Sequence, residues 1–371
     1  MRLFQNSALY PAYRLRLRQL TAGCRTFTEV RQVCLADRFG APHLLQPVLE
    51  GEPDAFFTNG DDEPMQRLWA REQGMAASQG LEEILLAQVE HHRTEVFYNL
   101  DPMRFGSSFV KRLPGCVKQA IAWRAAPSPG ADFSAYDWVV CNFPSILASY
   151  AQQGWRPAYF APAHDPVMDG YAQQGERPID ILFVGGYTRH HRRRAALLEA
   201  VAALDGTFRV AMHLDRSRLN RLAESPLGRL LPLSEHRRPR TIQRVTRPPL
   251  FGLDLYQALG QAKVVLNGAI DMAGEDRGNM RCFEAMGCGA MLLSDKGRYP
   301  EGMQDGSTLV TYDGPNDAVA RLRHLLASPG ELAGVASAGH RMVSEVYSKS
   351  RQWEAFVKLA SGDVRNPVAA S

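Results

Sequence analysis

Residues 274–295 read GEDRGNMRCFEAMGCGAMLLSD. An apolar run, Val264–Asn267 (VVLN), precedes them and predicts a strand. Gly274 to Asn279 form a polar, glycine-containing loop. A helix starts near Met280 and stops at Gly287 or Gly289, and a second strand, Ala290–Ser294, follows at once. In a strand–helix–strand unit of this kind the helix N-terminus points toward the strand ends where ligands lie. Its free N–H groups and dipole favour an anion there.

Arg281 falls in the first turn of that helix, where a cation opposes the dipole. Such local conflicts concentrate at functional sites, and a bound phosphate removes this one. Glu284 lies three residues on, near the same face. A carboxylate can accept two hydrogen bonds from a vicinal diol, as acidic residues do with ribose. Arg281 on phosphate and Glu284 on ribose would together read a nucleotide. An i, i+3 surface ion pair explains the same spacing.

The same conflict recurs upstream. Asp180–Val184 (DILFV) predicts a strand, Gly185–Gly186 a turn, and a helix follows over His190–Leu204, entered through the basic run Thr188–Arg194. Arg189 and Arg192 share one face and form a candidate diphosphate pair. A solvated basic face or an RNA-binding patch is the competing reading.

Working outward, strands and helices alternate through both halves, which predicts βαβ units and parallel sheets. Thr94–Asn99, Lys118–Arg124 and Trp138–Asn142 read as strands of the first half. Pro64–Gln73, Leu81–His91 and Ser145–Gln153 read as helices. Trp155–Gly170, rich in Pro, Ala and Gly, reads as a linker. Phe208–His213 and Lys263–Asn267 are further strands, Leu253–Ala262 is helical, and a long helical tail starts at Asn316. The expected fold class is α/β: two Rossmann-like domains facing across a cleft, the first over 1–165, the second over 171–345, with 346–371 a crossover helix and tail.

Composition bounds the function. The 371 residues are 45% hydrophobic and 22% charged, close to globular averages, which excludes disordered and fibrous classes. The apolar runs are strand-sized, far below a membrane span. The N-terminus lacks a continuous apolar stretch, so no signal peptide is expected. Net charge is +4. Apart from Lys111, Lys118, Lys263, Lys296, Lys349 and Lys358, the basic residues are arginines, the better bidentate phosphate ligands. Six cysteines are scattered without a CxxC pair, the usage of a cytoplasmic protein rather than of a disulfide framework or zinc site.

The second half resembles the nucleotide-sugar domain of GT-B glycosyltransferases. It looks closest to the branch related to spore-maturation glycosyltransferases, with an R-x-F-E-A-x-x-C-G-A core carried here by Arg281–Ala290. Retaining GT-B families place an acid eight residues before this Glu; Asp276 matches that spacing, with Asp where Glu is usual. Ile181–Gly186, Leu255–Leu259 with Ala262–Asn267, Ser307–Asp313 and the final helix Ser348–Leu359 are similar in order. The likeness covers about 178–360 well and the first half in outline.

The resemblance implies a glycosyltransferase moving a sugar from a nucleotide-diphosphate sugar to an acceptor hydroxyl. Glu284 would hold the ribose; Arg281, Arg189, Arg192, Asn279, Gly185 and Gly186 would surround the diphosphate. No D-x-D stands at a strand end, so metal independence and no cofactor are expected. In this fold the last helix crosses back to the first domain, where Trp353, Phe356 and Val357 could pack. MRLFQNSAL carries no glycine-rich loop, which favours an acceptor role for the first domain.

An inverting enzyme needs a general base. Asp101, directly after a predicted strand, is the first candidate and His164 the second; a retaining enzyme needs neither. An Asx-turn before Pro102 and a structural linker hydrogen bond are the respective alternatives. Asp276 is a third catalytic candidate. Arg124, Asn142 and Ser145 also end strands. Tyr98, Trp123, Phe143 and Tyr159 are aromatic platforms or core. The expected partners are the donor and an unidentified acceptor (glycan, protein or small molecule), with no nucleic acid and with room for a peripheral membrane contact. A nucleotide-sugar epimerase of the same fold, or a polyanion- or RNA-binding protein using the RHHRRR run and Arg237–Arg247, are the alternatives.

Overall fold

In a computed structural model, the described residues are 1–362 apart from 188–190, 216–217, 227, 229–231, 234–236 and 269–272. They divide into two compact units. The first holds Met1–Ala163, the chain from Tyr347 onward and a short stretch ending at Asp276. The second holds the residues from His164 to Val346 outside that stretch.

The first unit runs β1 (Leu3–Ser7), α1 (Tyr13–Leu20), α2 (Phe27–Ala36), α3 (Gln46–Glu50), β2 (Ala55–Asn59), α4 (Glu63–Glu72), α5 (Leu81–His91), β3 (Val96–Asn99), α6 (Ser107–Val110), β4 (Gln119–Trp123), β5 (Trp138–Cys141), α7 (Pro144–Gln152) and β6 (Pro157–Tyr159). Its six strands are all parallel, in the order β2-β1-β3-β4-β5-β6. Capping starts α2: Thr26 accepts from the Glu29 N–H, and Glu29 returns the bond to the Thr26 N–H.

The second unit continues α8 (Met168–Ala172), β7 (Ile179–Gly185), α9 (Arg192–Ala202), β8 (Val210–Leu214), α10 (Arg218–Glu224), α11 (Arg240–Val245), β9 (Thr246–Arg247), α12 (Gly252–Gly260), β10 (Ala262–Leu266), α13 (Met280–Gly287), β11 (Met291–Asp295), β12 (Val310–Tyr312), α14 (Gly314–Ala327) and α15 (Pro329–Val346). Its sheet is parallel too, in the order β12-β11-β10-β7-β8-β9. Ile181, Phe183, Val264, Leu266, Met291 and Leu293 share a core with α9 and α14. Leu182, Val265 and Leu292, equally buried, alternate with them and so face the other side. Burial on both faces is why these strands read as unbroken apolar runs.

The final helix, α16 (Lys349–Ala360), belongs to the first unit. Phe356 is buried with its ring 5.0 Å from Tyr98 and 6.0 Å from Phe160, and Trp353 stacks on it. Val357, expected to pack alongside, is exposed. Lys349 Nζ donates to the carbonyls of Ala41, Pro42 and Leu44, which satisfies a buried ammonium.

Two expectations need correction. Trp155–Gly170 is not a plain linker: it contains β6 and the start of α8. Proline opens β6 at no cost to the ladder because β6 is an edge strand, paired only with β5. The tail from Asn316 is three helices, α14 to α16, broken before Pro329 and at Ser348. No described helix is long and apolar enough to cross a membrane.

Candidate active site

Strand order places a switch point in each sheet, where successive connections leave in opposite directions and a crevice opens at the carboxyl ends. In the second unit it falls between β7 and β10. Each strand there ends in a loop that leads to a helix: β7 to α9, and β10 to α13. Helix α9 packs with α14, and α13 with α15, so the two N-termini flank the crevice from opposite faces of the sheet.

Helix α13 begins after Asn279, whose backbone is extended (φ −61°, ψ 164°). Its side chain does not cap the helix; Nδ2 donates instead to Asn267 Oδ1 at 3.1 Å. Asn267 in turn donates to Ser294 Oγ, and its carbonyl accepts from the Tyr312 hydroxyl. This network ties the ends of β10, β11 and β12 and leaves the first turn of α13 without a side-chain cap.

Arg281 Nη1 donates to Glu284 Oε2 at 2.7 Å. The pair is not on the surface: Glu284 is 2% exposed and the Arg281 side chain 18%. Burial pushes the Glu284 carboxyl up and Arg281 pulls it back. Arg281 Nε, also buried, has no hydrogen-bond partner.

On the α9 side, a pocket of about 600 Å³ is lined by Arg192, Arg194, Arg277, Asp295, Lys296 and Tyr312, among others. Arg194 lies over the Phe183 ring, 5.1 Å from its centroid, with Nε unpartnered. Burial draws its guanidinium pKa down, while Tyr312 and Asp295 oppose that and Arg281 adds to it. Arg277 pairs with Asp295 at 2.6 Å. The lining stops short of Arg281 and Glu284; their link to it is electrostatic, through Arg194.

Of the expected donor residues, Gly185 ends β7 at this edge and Asn279 and Arg281 open α13 there, with Glu284 bonded to Arg281 one turn further along the helix. A Cβ on Gly185 would stand 2.9 Å from Arg194 Nη2. Gly186 borders open space. Arg192 lines the pocket with an exposed side chain. Arg189 lies outside the described residues. Sequence reading missed Arg194 and Arg277. Arg194 was legible only as one more arginine of the basic run; Arg277 adjoins Asp276 in the deciding loop.

In the first unit the switch point lies between β1 and β3. Asp101 follows β3, its N–H bonded to Asn99 Oδ1 and its carboxylate 3.7 Å from Arg104. Burial first, then the charge of Asp61, pushes the Asp101 carboxyl up. Asp61 follows β2, pairs with Arg14 and accepts from the Leu9 N–H. Asp61 was missed with β2 itself, although the Asn59-Gly60 pair after AFFTN is a turn signal.

Two candidates are placed elsewhere. His164 lies against Gly287, where a Cβ would stand 2.9 Å from its Nδ1. Gly287 is the C-terminal residue of α13, so His164 sits at the end of that helix opposite the crevice. Its Nε2 bonds to Asp169 Oδ1 at 2.8 Å, and His340 flanks it. Asp276 accepts the Ser145 N–H at 2.6 Å, in the first turn of α7, while Ser145 Oγ donates to the Ala273 carbonyl. A carboxylate so placed complements the α7 dipole. Arg124 is turned onto Ser128 Oγ. Tyr98 and Trp123 are core, and Tyr159 is exposed.

In the basic stretch Arg237–Arg247, Arg237 and Arg238 are committed to the fold, while Arg240, Arg244 and Arg247 are exposed. Arg238 makes two hydrogen bonds to the Glu224 carboxylate, and Arg237 donates to the carbonyls of Ala223 and Gly228. Among the described residues, no group of three or more His, Cys, Asp or Glu side chains converges as a metal site.

Residues 189–358 match the family model described as glycosyl transferase-like. Anabaena HepE, solved with UDP and glucose, is similar over 98% of this chain and 100% of its own, at TM-score 0.59 and 14% identity. A glycosyltransferase from Rickettsia africae covers 97% of each chain at TM-score 0.54 and 11% identity. An alpha-glucosyltransferase solved with UDP and a 13-mer DNA covers 97% of this chain and 99% of its own, at TM-score 0.60 and 10% identity. No curated protein matches. Two parallel sheets in two Rossmann-like domains define the GT-B fold. The chain has that fold, and its residues 189–358 form a glycosyl transferase-like domain.

Proposed function

We propose that the chain transfers a glycosyl group from a nucleoside-diphosphate sugar to an acceptor hydroxyl, without a metal. The observation that carries this is the buried Arg281–Glu284 pair beside Arg194 at the β7/β10 crevice. In this reading Glu284 accepts from the ribose hydroxyls. Arg281, Arg194, Arg192 and the N-terminus of α13 receive the leaving diphosphate, the work of preorganised electrostatics. Charge builds on the diphosphate as the sugar approaches an oxocarbenium-like state.

Asp101 is the base if the reaction inverts, because its raised carboxyl pKa makes it a better proton acceptor than an ordinary aspartate. His164 does not serve, being held at the opposite end of α13, and its removal weakens the epimerase alternative. UDP complexes of the structural neighbours make UDP-sugars the first donors to test. We place the reaction in the cytoplasm, where the six unpaired cysteines stay reduced.

The test is turnover on a panel of UDP-, GDP- and dTDP-sugars, with CMP-sugars as monophosphate controls. One diphosphate donor is expected to turn over, undiminished by EDTA. Turnover of CMP-sugars alone would contradict the diphosphate assignment, and loss with EDTA the metal-free one. Product configuration decides the role of Asp101.

A further inference from the structure

Two asparagines stand side by side at the carboxyl ends of neighbouring strands in the first unit. Asn6 of β1 and Asn99 of β3 are register partners, and both are fully buried. Strands of a parallel sheet are usually apolar at such positions, and a buried amide must find its partners inside the protein. Asn6 Nδ2 donates to Asn99 Oδ1 at 2.8 Å, and Asn6 Oδ1 accepts the Gly60 N–H at 2.8 Å. Asn99 Oδ1 also accepts the Asp101 N–H at 2.9 Å, while its Nδ2 donates to the Tyr136 hydroxyl and the Phe105 carbonyl. Every hydrogen-bonding site of the Asn99 amide is used.

These bonds form one chain across three strands, from the Gly60 N–H through Asn6 and Asn99 to the Asp101 N–H. Gly60 precedes Asp61, so the chain joins the backbone beside one carboxylate to the backbone of the other. It crosses β1, which lies between β2 and β3. Gly60 is required in it, because a Cβ there would stand 2.7 Å from Asn6 Oδ1. A fully satisfied buried network of this kind is rigid. Rigidity matters because Asp101 feels the groups around it. Asp61, after β2, adds to burial in pushing its carboxyl up; Arg104 on its own loop and Arg124 after β4 oppose that. Burial pushes the Tyr136 hydroxyl up, so it faces Asp101 uncharged.

We propose that Asn6 and Asn99 are positioning residues, which hold Asp101 in place against Asp61 for proton transfer from the acceptor hydroxyl. The role of Asp101 as base rests on the glycosyl-transfer reading; its placement by the two asparagines does not.

The experiment titrates the Asp101 carboxyl by carbon-13 NMR of the full chain labelled at aspartate, with Asp101→Asn assigning the signal. In Gly60→Ala the added methyl meets Asn6, Phe105 and Leu85 but not Asp101. Its Asp101 midpoint should move down, toward the ordinary aspartate value, as the hold against Asp61 loosens. Asn6→Ser, too short to bridge, should do the same. Asp61→Asn lowers the midpoint by removing a charge, and Gly60→Ala added to it should move it little further. A midpoint unmoved in both variants while their melting temperatures fall makes the asparagines structural only and overturns the proposal. A Gly60→Ala shift of equal size with and without Asp61 overturns it too. The pH dependence of turnover is read on the same proteins. An acid limb that follows the NMR midpoint supports Asp101 as the base. One that stays put while the midpoint moves keeps the placement by asparagine and removes Asp101 from the reaction.

Discussion

Arg194 rests on Phe183: its guanidinium carbon lies 5.1 Å from the ring centroid, across the end of β7. Gly185 permits this, because a Cβ there would stand 2.9 Å from Arg194 Nη2. Gly185→Ala therefore displaces the guanidinium while leaving the strand intact. UDP affinity is expected to fall about tenfold, one charge-assisted hydrogen bond's worth. In an Arg194→Ala background the same substitution should cost little more, and calorimetric titration of the four proteins checks both.

Arg281 and Glu284 form a buried ion pair, and such pairs respond asymmetrically to mutation. Arg281→Met leaves the carboxylate buried alone and should destabilise by about 3–5 kcal/mol. Adding Glu284→Leu should recover much of that loss while nucleotide binding stays absent. Urea denaturation of both variants measures the difference; equal stability of the single and double variants would contradict the pairing.

Asp101 has its carboxyl raised by burial and by Asp61. A raised folded value means the native state holds the proton more tightly than the unfolded chain. The resulting stabilisation is full below the ordinary aspartate value, about 3.9, and fades as pH rises through the raised one. Asp101→Asn removes that dependence. Its melting temperature relative to the parent protein should climb between pH 4 and pH 7, and a flat difference would contradict the burial argument.

Asp276 accepts the Ser145 N–H at the start of α7. Asp276→Ala should cost about 1 kcal/mol, the usual loss for a capping carboxylate, with UDP affinity unchanged. A selective loss of turnover at full stability would restore it as a catalytic acid.

Much of the fold was legible because its signals are local. Leu81–His91 is the helix that the helical spacing of Ile84, Leu85 and Val89 predicts, and α13 runs from Met280 to Gly287 as its flanking loop and glycines indicate. What escaped depends on tertiary pairing. β2 is a short, almost wholly buried run without alternation, which periodicity alone does not separate from loop or helix. β6 carries a proline that only its edge position excuses.

The site divides the same way. Glu284 and Arg281 follow from helical spacing and from a charge set against a dipole. Arg194 emerges only once β7 places Phe183 beneath it. The role of Asp276 depends on Ser145, 131 residues away in sequence, a distance that no motif spacing reports. His164 lies in a Pro-, Ala- and Gly-rich segment without periodicity, and its place beside Asp169 of α8 depends on tertiary packing that such a segment does not report.

The central claim is that the Arg281–Glu284 pair and Arg194 hold a nucleoside diphosphate. Thermal denaturation with and without UDP tests it most directly, on the parent protein and on Glu284→Gln. UDP should raise the melting temperature of the parent by mass action and leave that of Glu284→Gln unmoved. A parent protein indifferent to UDP, GDP and dTDP, or a variant that keeps the full shift, would contradict it.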